Sequence, residues 1–79
     1  MATPIVAYAA FTQLAVINGD GVRLRRTPVD GAVLELMYRG ETVMIDNDVV
    51  DHSHPAWIYV RREKTGTTGW MEDSYYIHG

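Results

Sequence analysis

Glycine, proline, asparagine and aspartate cut this 79-residue chain into pieces too short for ordinary helices. Breakers stand at Asn18-Gly19-Asp20-Gly21, at Pro28 and Asp30-Gly31, at Gly40, over residues 46–55 and over residues 64–69. The pieces between them alternate apolar and polar side chains, the period of a half-buried strand. Residues 11–17 are apolar and partly alternating, and Val22 and Leu24 alternate with Arg23 and Arg25. Residues 32–40 have helix-forming side chains, yet nine residues between two turn signals favour a strand. Val43 and Ile45 share one face opposite Thr42 and Met44, and Ile58 and Val60 stand opposite Trp57 and Tyr59. The ending WMEDSYYI predicts a short strand, one helical turn and a last strand. The expected fold is therefore all-β, a small barrel of about five to seven short strands with one short 3-10 turn near the C-terminus. Residues 1–10 form an N-terminal arm or an extra strand, and residues 11–79 the barrel domain.

Size and charge narrow the functional classes. A single domain of this length buries only about 60% of its unfolded surface, so its core must be efficient. With no cysteine, a disulfide framework and thiolate metal sites are excluded. The formal charge of −3 argues against nucleic acid as the main partner, because a phosphate backbone rewards cations. No stretch is long enough to span a bilayer, and no Lys or Arg precedes the apolar residues 4–11, so no secretory signal is read.

Three segments in register, GVRLRRTP, GAVLELMYRGETVMI and WIYVRREKTGTTGWMEDSYYI, resemble the bacterial Src-homology-3-like (SH3b) family over about residues 14–77. The matching residues are Val22, Leu24, Arg25 and Pro28; Val33, Leu36, Gly40 and Val43; and Trp57, Val60, Gly66, Gly69, Trp70, Ser74 and Tyr75. Arg26 and Thr27 depart from the small residues common before the proline, and Tyr76 departs from a usual aliphatic. The resemblance implies an SH3-like barrel, a non-catalytic role, and recognition of cell-wall peptides of peptidoglycan. It also implies a groove between the loop over residues 21–31 and the loop over residues 46–55.

Outward Trp57 and Tyr59 are natural contact residues for such a groove, since both are large, rigid and amphipathic. Tyr75 or Tyr76 flanks it, and Trp70 reads as strand packing. Arg25 matches a family position that often orders its own loop by bonding backbone carbonyls or a nearby carboxylate. Arg26, beyond the alternation, is the candidate for a ligand carboxylate or phosphate, and Arg23 reads as solvated. Asp30 and His54 complete the expected ligand-binding set from the two loops. Asp51, His52 and His54 have metal-ligating side chains, but in a loop with no placed third histidine they predict no metal site, and no cofactor is expected. Without cysteine or a Gly-x-Ser-x-Gly elbow, nothing points to an enzyme. The expected partner is a cell-wall peptide or a protein, with no nucleic acid and no membrane span. The alternative reading is a small stand-alone intracellular protein, of phage or mobile-element origin, that binds a protein partner or sequesters a small ligand as a homo-oligomer. The first reading, of a module cut from a larger wall protein or encoded alone, places an excised chain at the cell wall or outside the cell; the second places a complete chain in the cytoplasm.

Overall fold

The computed structural model describes residues 10–78. The arm or strand expected over residues 1–10 lies, except for Ala10, outside the described residues. Seven strands follow: β1 (Gln13–Ile17), β2 (Val22–Arg25), β3 (Val33–Met37), β4 (Thr42–Ile45), β5 (Trp57–Arg62), β6 (Thr68–Glu72) and β7 (Tyr76–His78). A 3-10 turn (Asp73–Tyr75) joins the last two. All pairings are antiparallel within one sheet of order β3-β2-β6-β5-β4-β1-β7. The all-β expectation, including the single 3-10 turn near the C-terminus, is met.

One sheet without a second layer must cover its own apolar face. Inward residues from six strands, Ala15, Ile17, Val22, Leu24, Met37, Val43, Ile45, Val60 and Met71, form a single buried cluster, with Ile58 and Tyr76 packed against it. The sheet therefore curls around its own side chains. Tight passage at Gly69 permits this. A Cβ there would lie 2.7 Å from the Arg25 carbonyl oxygen and 3.1 Å from the Leu24 side chain, so β6 and β2 approach too closely for any larger residue.

Period two continues through the charged end of β5. Ile58, Val60 and Arg62 face inward, and Arg62 is 6% exposed. Its guanidinium donates from Nε to Glu41 Oε1 at 2.7 Å, from Nη2 to Glu41 Oε2 at 2.8 Å and from Nη1 to Glu35 Oε1 at 2.9 Å. Glu35 also accepts from the hydroxyls of Thr67 at 2.6 Å and Thr65 at 2.7 Å. Strands β3 and β5 are not neighbours in the sheet, so the Arg62–Glu35 pair crosses the interior and ties the curled sheet together. Bidentate geometry and hydroxyl donors offset the desolvation of these charges.

The Thr67 hydroxyl, the Arg62 guanidinium and the Thr65 hydroxyl hold the Glu35 carboxyl down at about 2, against an ordinary 4.5. Because the folded value is the depressed one, the stabilisation is complete above about pH 4.5 and is lost as pH falls towards 2. Denaturation titrations should show stability declining through that window. Arg62→Ala should cost about 3 kcal/mol at pH 7, because it leaves two inward carboxylates without their cation, and the acid-induced decline should shrink. An unchanged midpoint in Arg62→Ala would show that the network contributes nothing.

Candidate functional site

Loop chemistry on one side of the barrel builds a cleft. The turn between β1 and β2 is held by the turn between β3 and β4. Arg39 donates from its backbone N–H to Asp20 Oδ1 at 3.1 Å and from Nη1 to Asn18 Oδ1 at 2.8 Å. On its other side, the Asn18 N–H donates to the Tyr75 carbonyl at 2.8 Å. A Cβ on Gly19 would meet the Tyr75 ring at 3.5 Å, so the tyrosine lies against bare backbone.

The β2–β3 loop is the second wall. Register against β3 shifts from Leu24↔Glu35 to Arg25↔Val33, which leaves Leu34 as the extra residue of a bulge. Arg25 Nη1 then donates to the Gly31 carbonyl at 2.9 Å, and the Arg26 N–H to the Ala32 carbonyl at 2.9 Å, closing the loop. At its tip the Asp30 N–H bonds the Pro28 carbonyl at 2.9 Å across Val29, whose φ is +73°. This is the left-handed three-residue turn, a strained form that a β-branched residue adopts rarely. Val29 is nonetheless half exposed, with its side chain on the cleft.

The resulting concavity measures about 350 Å³, and its working side chains are Asp20, Arg23, Arg25, Val29, Trp57, Glu72 and Tyr75. Trp57 pairs with Glu72 across β5 and β6, which sets the indole beside the carboxylate. A smaller concavity of about 120 Å³ shares Trp57 with it and is otherwise lined by Ile45, Asp46, Asn47, Val49, Val50, Pro55, Ile58 and Tyr59. The loop over residues 46–55 that shapes it is pinned by buried Asp46, which accepts the Asp48 N–H at 2.9 Å.

Of the residues expected from sequence, Arg25, Trp57 and Tyr75 meet in the larger cleft, and Tyr59 lines the smaller one. Tyr59 also stacks between Phe11 and Trp70, at 5.8 and 5.3 Å between ring centroids. Tyr76 packs on the core, and burial, with the Asp73 charge, pushes its hydroxyl up from its ordinary value. The tyrosine of the cleft is therefore Tyr75. Arg26, Asp30 and His54 line neither concavity. His54 Nδ1 instead lies 3.0 Å from Asp51 Oδ2, and this contact, with the Ser53 N–H, holds the Asp51 carboxyl below its ordinary value. No group of three metal-ligating side chains occurs among the described residues.

Asp20, Arg23, Val29 and Glu72 were not singled out by sequence as cleft residues. Arg23 had a usable signal, since it shares its strand face with Arg25. Glu72 had one too, because strand pairing sets it opposite Trp57. Val29 had none, because its placement depends on a backbone conformation that valine disfavours. Comparison with family models, curated proteins and solved structures finds no match.

Replacing Val29 by glycine should relieve left-handed strain of about 1–2 kcal/mol while costing about 0.5–1 kcal/mol in chain entropy. Val29→Gly should therefore be more stable than the parent by about 0.5 kcal/mol in urea denaturation. A destabilised variant would show that the Val29 side chain supplies more packing than the turn costs.

Proposed function

We propose that this chain is a non-catalytic binding module with an SH3-like barrel, and that it holds a short peptide in the cleft centred on Trp57. The carrying observation is the convergence of Trp57, Tyr75 and two arginines on one concavity of about 350 Å³. Rigid aromatic faces offer contact area at low entropic cost, and guanidinium groups offer directional donors to carboxylates or carbonyls. Two concavities share Trp57, which offers more than one contact region to an extended segment. The motif resemblance directs this reading to cell-wall peptides of peptidoglycan. Such a role needs no metal, cofactor or nucleophile.

A second reading has its own observation. Leu14 and Val16 on β1, Met44 on β4 and Ile77 on β7 share the outer face by register, with Leu14 43% and Ile77 55% exposed. An apolar strip of that kind suits a protein partner or a second copy of the chain. It stands apart from the charged cleft, so the two readings are separable by mutation.

Incubation with purified bacterial sacculi tests the first reading. The protein should sediment with them, and Trp57→Ala, shown to be folded by circular dichroism, should bind about 30-fold more weakly, as expected for loss of an interfacial tryptophan anchor. A folded parent that stays in the supernatant would overturn the wall-binding reading.

A further inference from the structure

Two opposite charges face the larger cleft without neutralising one another. Among the described residues, neither Arg23 nor Glu72 makes a side-chain hydrogen bond or an ion pair. The other two charges at the cleft are occupied, Arg25 by the Gly31 carbonyl and Asp20 by Arg39. Strand β2 pairs with β6 at Arg25↔Trp70, and Glu72 is paired with Trp57 across β6 and β5. Cation, anion and indole thus line one cleft, contributed by β2, β6 and β5. The indole also lines the smaller concavity, whose walls include Ile45, Val49, Val50 and Ile58 together with Asp46 and Asn47.

We propose that the cleft recognises a zwitterionic α-amino-acid head group, its carboxylate on Arg23 and its ammonium on Glu72, with an aliphatic tail crossing Trp57 into the smaller concavity. This rests on the same cleft as the peptide-binding reading and names the chemistry of the ligand end. A purely anionic ligand leaves Glu72 facing like charge, and a purely cationic one does the same to Arg23, so each is rejected by one wall. Charge-assisted bonds to both walls fix the head group's orientation. The tail gains from burial against Trp57 and the aliphatic wall. A free α-amino acid, or a side chain carrying both groups on one carbon, fits this description; a lone amine, or a peptide terminus with one of the two groups in an amide bond, does not.

Three probes of one carbon skeleton separate the contributions: norleucine carries both charges, hexanoate lacks the ammonium, and pentylamine lacks the carboxylate. Binding is read from the Trp57 indole N–H resonance, assigned by comparison with Trp57→Phe. Norleucine should bind about tenfold more tightly than either analogue, because each analogue leaves one charged wall unpaired. Arg23→Gln should bring norleucine down to the level of pentylamine, and Glu72→Gln to the level of hexanoate, with both variants folded. Equal binding of the three probes, or variants that bind norleucine as the parent does, would overturn the proposal. Sacculus binding that depends on Trp57 while none of the probes binds would also overturn it, leaving the peptide reading intact. Selective norleucine binding without sacculus retention would support it and remove the wall as the target.

Discussion

Among the described residues one sheet has no second layer to lay against it, and the rest of their structure follows from that. Seven short strands can bury an apolar face only by bending it onto itself. Nine inward side chains then meet in a single cluster. Curling brings β3 within reach of β5, and Arg62 makes use of that proximity, bonding Glu35 and Glu41 from inside the fold. The ion network is thus a consequence of closure as well as a fastening for it. A small domain has little core to spare, so a polar contact that spans non-adjacent strands carries unusual weight.

Closure also decides where the cleft lies. Strands β2, β6 and β5 are neighbours, and Arg23, Glu72 and Trp57 from them line it. The loops around it are held by bonds that bypass the core: Arg39 to the β1–β2 turn, Arg25 to the Gly31 carbonyl, and the Tyr75 carbonyl to Asn18. Fixing walls in this manner lowers the ordering cost of binding. Strain at Val29 belongs to the same economy, since a half-exposed valine in a left-handed turn serves no core purpose.

Much of the fold was legible in the sequence because period-two alternation and turn residues report local geometry directly. Val22 with Leu24, and Val43 with Ile45, are buried as their spacing requires, and Gly40 and Gly66 take positive φ in their turns. Alternation along Ile58 and Val60 also reached Arg62, but a charged residue at an inward position is readable only if its partners are known. Glu35 and Glu41 lie more than twenty residues away in the chain, and no local pattern joins them. The cleft was legible in its aromatic part, through Trp57 and Tyr75. Its charged part was read only in Arg25. Arg26 stands out in the chain, yet the bulge at Leu34 and the closed loop leave it off both concavities, while the ordinary-looking Arg23 and Glu72 line the larger one. Which of two adjacent tyrosines faces out was set by where the 3-10 turn ends, a boundary that composition does not mark.

Backbone amide shifts, followed while soluble cell-wall stem peptides are titrated into the labelled protein, test most directly whether the Trp57 cleft is the binding surface. Perturbations should concentrate at residues 19–23, Trp57, Glu72 and Tyr75. Perturbations confined to the outer face that carries Leu14, Met44 and Ile77 would contradict a peptide-binding cleft and favour that apolar strip as the working surface.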